Sequence, residues 1–576
     1  MKTKKISITP QKLFAGAIFL FFVWFVLACL VLPNINTVAT VFFQEGKFTL
    51  EPLQKLLSSE RAMKSLRNSF VLAPSLSITV GFIGISLVLI TEYFDIKGAK
   101  ILRLGYMTTL IYGGIILVSG YKFIYGNNGF LTNIFASIFP NFNTNWFQGY
   151  WAVLFVMTFA CTSNHMIFLR NAMRSVDFQT VEAAQNMGAS QAKILLRVVL
   201  PVLTPSLLAV TILTFITGLS ATSAPLLVGG TDFQTITPMI LSFANSVGSR
   251  DLAALLALFL GLATIILLTI MTQLEKRGHY MSVSKVKTTI KKQKIRNPIL
   301  NVLAHIYAYV LFLIYVVPVV LVVLFSFTDS ATIASRKLDF SRFTLDNYLS
   351  VFSKPSAYKP FLVSVVYSAL ASLAVAVLVL MACRIIQKGQ RTKSRLATGL
   401  EYSLLIPWLL PTTLIAMGLI TTYNSPHFWM FNKVLTGTSF IMLLGYIIIK
   451  IPFTLRMTKA AFFALDDSLE DAAKNLGAKS IYTFFRVLLP VIMPTVLAIF
   501  ALNFNGLLGD YDMSVFLYHP LNQPLGVYIK SLTDAQTNAD NTALTFVYAV
   551  LMMIISSAVL YLVYGRGNND KLSNNK

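Results

Sequence analysis

VEAAQNMGASQAKILLRVVLPVLTP, residues Val181–Pro205, and EDAAKNLGAKSIYTFFRVLLPVIMP, residues Glu470–Pro494, are two copies of one design. Glu182 matches Asp471, Gly188 matches Gly477 and Pro201 matches Pro490; the separations 471 − 182, 477 − 188 and 490 − 201 are all 289. In the first copy Glu182-Ala183-Ala184 suits a short helix with a small side-chain profile, and Gly188 can take the positive φ that ends it. Ile194, Leu195, Val198 and Val199 then recur at helical spacing, with Lys193 and Arg197 off that stripe. Pro201 and Pro205 are expected to stop this helix and begin the next, because proline is tolerated in a first turn but not within a ladder. The second copy repeats the plan with Asp471-Ala472-Ala473, Gly477, Arg486, Pro490 and Pro494. One copy alone reads equally well as an amphipathic helix lying on a membrane. Two copies with acid, alanines, glycine and proline in the same places point to a surface that meets the same partner twice.

The rest of the chain is very apolar. Of 576 residues, 56% are hydrophobic and 12% charged, where a soluble globular chain has about 25% charged residues. Such a composition excludes an ordinary water-facing globule. A span needs about 20 mainly apolar residues, and twelve stretches qualify. They lie near 13–33, 69–91, 102–121, 148–169, 206–229 and 252–273 in the first half, and near 302–327, 361–383, 402–422, 437–455, 495–518 and 541–564 in the second. Lipid offers no partner to bare backbone, so these are read as helices. The fold class is all-α, a polytopic membrane protein of about twelve transmembrane helices in two parallel six-helix repeats.

The net charge of +24 does not point to nucleic acid, because the cations sit in alternate loops. Lys2, Lys4, Lys5 and Lys12 precede the first span, and Lys97, Lys100 and Arg103 follow the second. Lys276, Arg277, Lys285, Lys287, Lys291, Lys292, Lys294 and Arg296 fill the middle. Arg384, Lys388, Arg391, Lys393 and Arg395 follow the eighth span. The positive-inside rule makes these sides cytoplasmic, with both termini inside. Loops 122–147 and 424–436 are nearly free of base; the loops after spans one and seven carry bases but also acids. Cys29, Cys161 and Cys383 fall in apolar runs and read as buried thiols. Val26-Leu27-Ala28-Cys29 faintly resembles a lipoprotein cleavage site, but Leu27 is bulky and the apolar run continues, so an uncleaved first span is expected.

The 289-residue offset also carries the first span onto the seventh. The chain divides into a first membrane domain, 1–273, with its polar loop at 181–201. A basic linker, 274–300, follows, read as solvated and as a candidate for contact with anionic headgroups. A second membrane domain, 301–565, holds its loop at 470–490, and a tail spans 566–576. Six spans per half keep both halves in one orientation, and parallel repeats relate by an axis along the membrane normal, with a path between them.

Glu-Ala-Ala, three residues, Gly, then Pro thirteen residues later resembles the EAA loop of ATP-binding-cassette importer permeases. Asp471 in place of Glu is a mild departure. The resemblance covers essentially the whole membrane plan. It implies that each loop, through Glu182, Ala183, Ala184, Gly188 and Pro201 and through Asp471, Ala472, Ala473, Gly477 and Pro490, seats in a groove of a cytoplasmic ATPase. Two such subunits, using ATP and magnesium, and an external substrate-binding protein would be the partners, in a bacterial inner membrane. The two-in-one arrangement most resembles ferric-iron permeases; thiamine, sugar-phosphate, aminophosphonate and polyamine importers stay open as alternatives.

No GxxxxGK[ST] phosphate loop, HExxH or GxSxG occurs, so the chain is read as a permease, with no catalytic residue, metal site or cofactor of its own. Gly113-Gly114 and Gly229-Gly230 read as turn or packing glycines. His165, His279, His305, His427 and His519 are scattered and read as structural. For the path, the fifth span offers Thr217, Ser220 and Ser223, and the eleventh Asn505, Asp510 and Asp512. The same offset matches Ala221 to Asp510 and Ser223 to Asp512, so the halves differ there. An acid within a span costs about 2.5–3.5 kcal/mol on insertion scales. Either the two acids line a water-filled path that favours a cation, or they cap a broken helix beside Gly509. The fifth-span hydroxyls read more readily as packing contacts. An ion-gradient transporter with six-plus-six repeats accounts for the spans but not for the repeated loops; a membrane scaffold needs no polar groups in spans five and eleven.

Overall fold

A computed structural model describes residues 10–44, 46–173, 176–277, 291–391, 394–463, 465–466, 468–534 and 539–564. Lys2, Lys4, Lys5, His279, Lys285, Lys287, Lys393, the tail 566–576 and much of the 274–300 linker lie outside them. The described chain is all-helical apart from one two-stranded ribbon, Phe43–Gln44 against Lys47–Phe48. Ten helices are long and apolar enough to cross a membrane, and two bent pairs bring the number to twelve. The chain is a polytopic membrane protein.

The two bent pairs are the expected third and ninth spans, and neither is straight. Ala99–Leu110 and Gly114–Ile138 meet at 113°, and Arg395–Leu409 and Thr412–Tyr423 meet at 103°. At the first break Gly114 takes φ +62°, a left-handed conformation open to glycine at little cost. At the second, Pro411 pushes Leu410 into extended backbone, φ −108° and ψ 135°. The fifth and eleventh spans are shorter than expected at their far ends. Their helices stop at Leu219 and Leu508, and a turn leads into the short helices Ser223–Val228 and Ser514–Leu517.

Pro201 and Pro490 do not stop the helices. Gln191–Leu219 and Ile481–Leu508 are each continuous. Just before each proline the helix widens to π register, at Leu195–Val199 and Phe484–Leu488, five residues each and again 289 apart. Leu200 N–H reaches back to the Leu195 carbonyl and Leu489 N–H to the Phe484 carbonyl. The bonding frame has shifted before the residue that lacks an N–H arrives, so the helix continues.

Inside the spans, hydroxyls find partners on their own helix. Ser77 donates to the Ala73 carbonyl at 2.9 Å, Thr91 to Leu87 at 2.9 Å and Thr264 to Leu260 at 2.7 Å. This is the default where no water is at hand.

The chain clusters into two compact units, and neither is one sequence half. One unit holds the described residues of Met1–Pro52, Lys359–Val527 and Ile554–Lys576; the other holds Leu53–Tyr358 and Tyr528–Met553. In the former, the first span packs on residues of the second half. Tyr423 hydroxyl donates to the Ala28 carbonyl, Asn36 Nδ2 donates to Thr422 Oγ1 at 3.1 Å, and Phe22, Leu30, Val379 and Ile448 share one core. In the latter, the seventh span, Pro298–Ser326, packs on residues of the first half. Tyr106 hydroxyl donates to the Ala308 carbonyl at 2.7 Å and Tyr121 hydroxyl to the Ile314 carbonyl at 3.1 Å.

Gly218 on the fifth span meets the second span closely: a Cβ there would sit 2.7 Å from Ala73 Cα. At Gly81 nothing lies within 4 Å of a Cβ. Gly218→Val is expected to destabilise by about 1–3 kcal/mol through overpacking against backbone, while Gly81→Ala changes little or stabilises slightly. Thermal melts of the two purified variants in detergent check the contrast.

Candidate functional site

Each repeated loop opens on an aspartate. Asp177 Oδ1 accepts from Gln179 N at 3.1 Å, and Asp466 Oδ1 from Ser468 N at 2.9 Å, 289 residues later. These caps start the helices Phe178–Asn186 and Ser468–Asn475. The backbone and hydroxyl of Ser468 hold the Asp466 carboxyl below its ordinary range. The lowered value favours the cap at neutral pH, and that benefit fades as pH falls through it.

Both helices end in the same way. Gly188 N–H donates to the Gln185 carbonyl at 2.9 Å and Ala189 N–H to Ala184 at 3.0 Å. Gly477 N–H donates to Lys474 at 2.9 Å and Ala478 N–H to Ala473 at 3.0 Å. With φ of +78° and +79°, this is the Schellman closure that favours glycine. Two short helices therefore meet at each glycine, as the sequence pattern predicts.

The outer faces also agree. Glu182 and Ala183 are exposed and Ala184 is buried; Asp471 and Ala472 are exposed and Ala473 is buried. The residue before each glycine is a large apolar side chain held out of the fold, Met187 at 81% exposure and Leu476 at 88%. The sequence reading passed over this pair, and over Asp177 and Asp466. The 289-residue offset, applied at every position of the loop, would have found all four. Pro201 and Pro490 are exposed, two residues beyond the ends of their π turns.

The inner faces differ. Val181 is fully buried, and its counterpart Glu470 is buried against a cation. Arg384 Nη2 lies 2.7 Å from Glu470 Oε1 and Arg384 Nη1 lies 3.2 Å from Oε2, with side-chain exposures of 12% and 7%. This bidentate pair ties the second loop to the end of the eighth span. It escaped the sequence reading because a charge at a helix end reads as solvated.

The polar residues of the two spans fall into separate units. In one, Thr217 donates to the Leu213 carbonyl and Ser220 to the Ile216 carbonyl, both at 2.9 Å; Ser223 opens the short helix that follows. In the other, Asp510 Oδ2 accepts from Met513 N at 3.2 Å and Ser514 N at 3.0 Å, the geometry of a helix cap. Tyr446 and Lys450 lie near the same carboxylate. Lys450 Nζ lies beside Gly506, 2.9 Å from where a Cβ would stand. Asn503 Nδ2 donates to Thr454 Oγ1 at 2.7 Å, and Asn505 Nδ2 to the Ser556 carbonyl at 3.3 Å. Asp512 is half-buried in the turn after Asp510. The sequence reading missed Lys450, a single cation inside an apolar run. Among the described residues, no three His, Cys, Asp or Glu side chains converge as a metal site would require.

Replacing Arg384 with Gln removes the bidentate partner of buried Glu470 and leaves only the longer contact to Lys474 at 3.8 Å among the ion pairs described, expected to cost up to about 3–5 kcal/mol. The double variant Arg384→Gln, Glu470→Gln removes both charges and is expected to recover much of that loss. Thermal melts of the wild type and the two variants test this.

A family model for the binding-protein-dependent transport system inner membrane component matches residues 70–278 and again residues 379–566, one loop in each match. A probable ABC transporter permease protein of Sinorhizobium fredii is 37% identical over 94% of this chain and 94% of its own length. A putative ferric transport system permease protein of Haemophilus influenzae is 20% identical, over 87% of this chain and 78% of its own. A ferric transport system permease protein of Actinobacillus pleuropneumoniae is 21% identical, over 91% and 75%. A solved bacterial ABC transporter that imports alginate overlaps 46% of this chain and 96% of its own, with 15% identity and a TM-score of 0.39.

Proposed function

Since this chain belongs to the family of binding-protein-dependent transport system inner membrane components, we propose that it is the fused two-repeat permease of an ATP-binding-cassette importer whose two loops each dock one cytoplasmic ATPase. One observation carries the docking: both loops present the same outer face at the same spacing. That face has an exposed acid, an exposed alanine that permits close approach, and a large apolar side chain standing in water. An exposed apolar anchor rimmed by polar groups is what an interface core needs. The chain carries no phosphate-binding loop, so ATP and magnesium belong to the partner. The basic loops, by the positive-inside rule, support a cytoplasmic side for both docking faces and both termini.

The mechanism follows from the helices that leave the loops. Beyond the glycine, the second helix of each loop runs without a break into the fifth or eleventh span, so a shift of the seated docking helix passes through the glycine turn to that span. ATP-driven closure of two ATPases then pulls on both repeats at once, giving alternating access to a substrate delivered by an external binding protein. Co-expression with the ATPase encoded beside it is expected to yield a complex with two ATPases per chain. Met187→Lys with Leu476→Lys is expected to abolish it. A variant that keeps both ATPases, measured by size-exclusion chromatography with mass detection, refutes the docking.

For the substrate we propose ferric iron, supported by the ferric permeases that match most of the chain. Thr217, Ser220, Ser223, Asn505, Asp510 and Asp512 are the proposed path residues. Lys450 sharpens the role of Asp510. The carboxylate already caps two amides with Lys450 nearby, so an incoming metal cation would compete with these groups for it. Asp510→Asn is then expected to cut uptake of radiolabelled ferric iron by about tenfold or more, the worth of one good charge contact. Wild-type uptake by that variant sinks the path role.

A further inference from the structure

The two loops share an outer face but are held from behind by different means, and the first is held by the linker between the halves. Residues 291–297, the described end of that linker, are mostly exposed but are held to the fold by hydrogen bonds. Gln293 N–H donates to the Tyr93 carbonyl at 2.8 Å, and its carbonyl accepts from Asp95 N at 2.9 Å, a one-residue parallel bridge to the stretch after the second span. Its side chain turns the other way. Gln185 Nε2, on the first loop, donates to Gln293 Oε1 at 2.6 Å. Gln191, on the same loop, reads the strap's backbone at two points: its Nε2 donates to the Lys294 carbonyl at 2.7 Å, and its Oε1 accepts from Arg296 N at 3.2 Å. The strap then passes directly into the seventh span. Asn297 Oδ1 accepts from Ile299 N at 2.9 Å and Leu300 N at 3.2 Å, capping the helix that begins at Pro298.

The second loop has neither glutamine. Lys474 stands at the position of Gln185 and Ser480 at that of Gln191. Lys474 turns to its own helix, 3.5 Å from Asp471 and 3.8 Å from Glu470. The positions where the copies diverge thus include both residues that grip the strap.

We propose that residues 291–297 are a coupling strap, and that Gln185, Gln191 and Gln293 are positioning residues that carry movement of the first loop to the seventh span. The proposal rests on the docking function above. Movement of the first loop then reaches two spans, the fifth through its own second helix and the seventh through the three hydrogen bonds that join the loop to the strap. The second loop reaches the eighth span instead, through Arg384 and Glu470.

The experiment uses the full chain assembled with its ATPase and a reporter Ile299→Cys at the exposed start of the seventh span. Maleimide labelling is followed with and without a non-hydrolysable ATP analogue. The otherwise wild-type chain is expected to show a nucleotide-dependent change in labelling rate of about fivefold or more. Gln293→Ala is expected to lose that change while ATPase recruitment and hydrolysis stay within about twofold. Gln185→Lys with Gln191→Ser, which gives the first loop the second loop's residues, is expected to lose it as well. A nucleotide response that survives in both variants overturns the strap, as does absence of a response in the parent chain. Loss of ATPase recruitment by Gln293→Ala overturns it too, because the segment would then serve docking. A parent chain that recruits no ATPase overturns the docking function, and the strap with it.

Discussion

In lipid, every backbone N–H and carbonyl of a span must be satisfied from within the chain, because an unpaired group costs several kcal/mol. That constraint decides how each polar or irregular feature of this protein is built. Hydroxyls inside the spans return to their own helix, as Thr217 does to Leu213 and Ser220 to Ile216. The prolines at the heads of the fifth and eleventh spans are admitted only after a π turn has moved the bonding frame. Where the eleventh span breaks, Asp510 takes up the amides of Met513 and Ser514. Where the ninth breaks, the residue beyond is a proline with no amide to satisfy.

The same constraint explains what could be read from the sequence. The apolar runs located twelve spans because length and hydropathy are properties of a window. The loops were legible because acid, alanine, glycine and proline each have a local job, and the Schellman closures at Gly188 and Gly477 need no distant residue. Direction was not legible. The Gly113-Gly114 step and Pro411 sit within stretches as apolar as any straight span, and only the backbone angles reveal turns of 113° and 103°. Pro201 misled for a related reason: a helix stop is the default for proline, and a π turn leaves no mark in composition. Partner choice was hidden as well. Nothing in the first span states that Ala28 will accept from Tyr423, nor in the seventh that Ala308 will accept from Tyr106.

Charges inside the spans follow electrostatics more than position. Asp510 was legible as a costly acid, but its meaning changes with Lys450 opposite it. A lone carboxylate in low dielectric invites a cation. A carboxylate that already caps two amides, with a lysine nearby, is partly compensated, and any cation would have to compete with what is there. The first repeat has Ala221 where the second has Asp510, so this compensation is needed only once. Asymmetry of this kind is what the proposed substrate path would allow, since one substrate has no twofold axis.

The supports behind the loops carry the asymmetry further, and their chemistry suits their surroundings. The second loop is tied by a bidentate ion pair, and bonds between ionised groups are the stronger kind. The first is tied by amides. The strap it grips already carries Lys291, Lys292, Lys294 and Arg296, so a cation on the loop would be repelled there. A carboxylate would find several competing partners and no fixed geometry. A glutamine amide instead reads one carbonyl and one N–H, which are fixed in direction and indifferent to the charges alongside. Gln191 makes just that pair of contacts, to Lys294 and Arg296 through their backbones. Neutral recognition of backbone is therefore the form of attachment that a crowded basic segment permits, and it joins the linker to one loop without relying on the charges alongside.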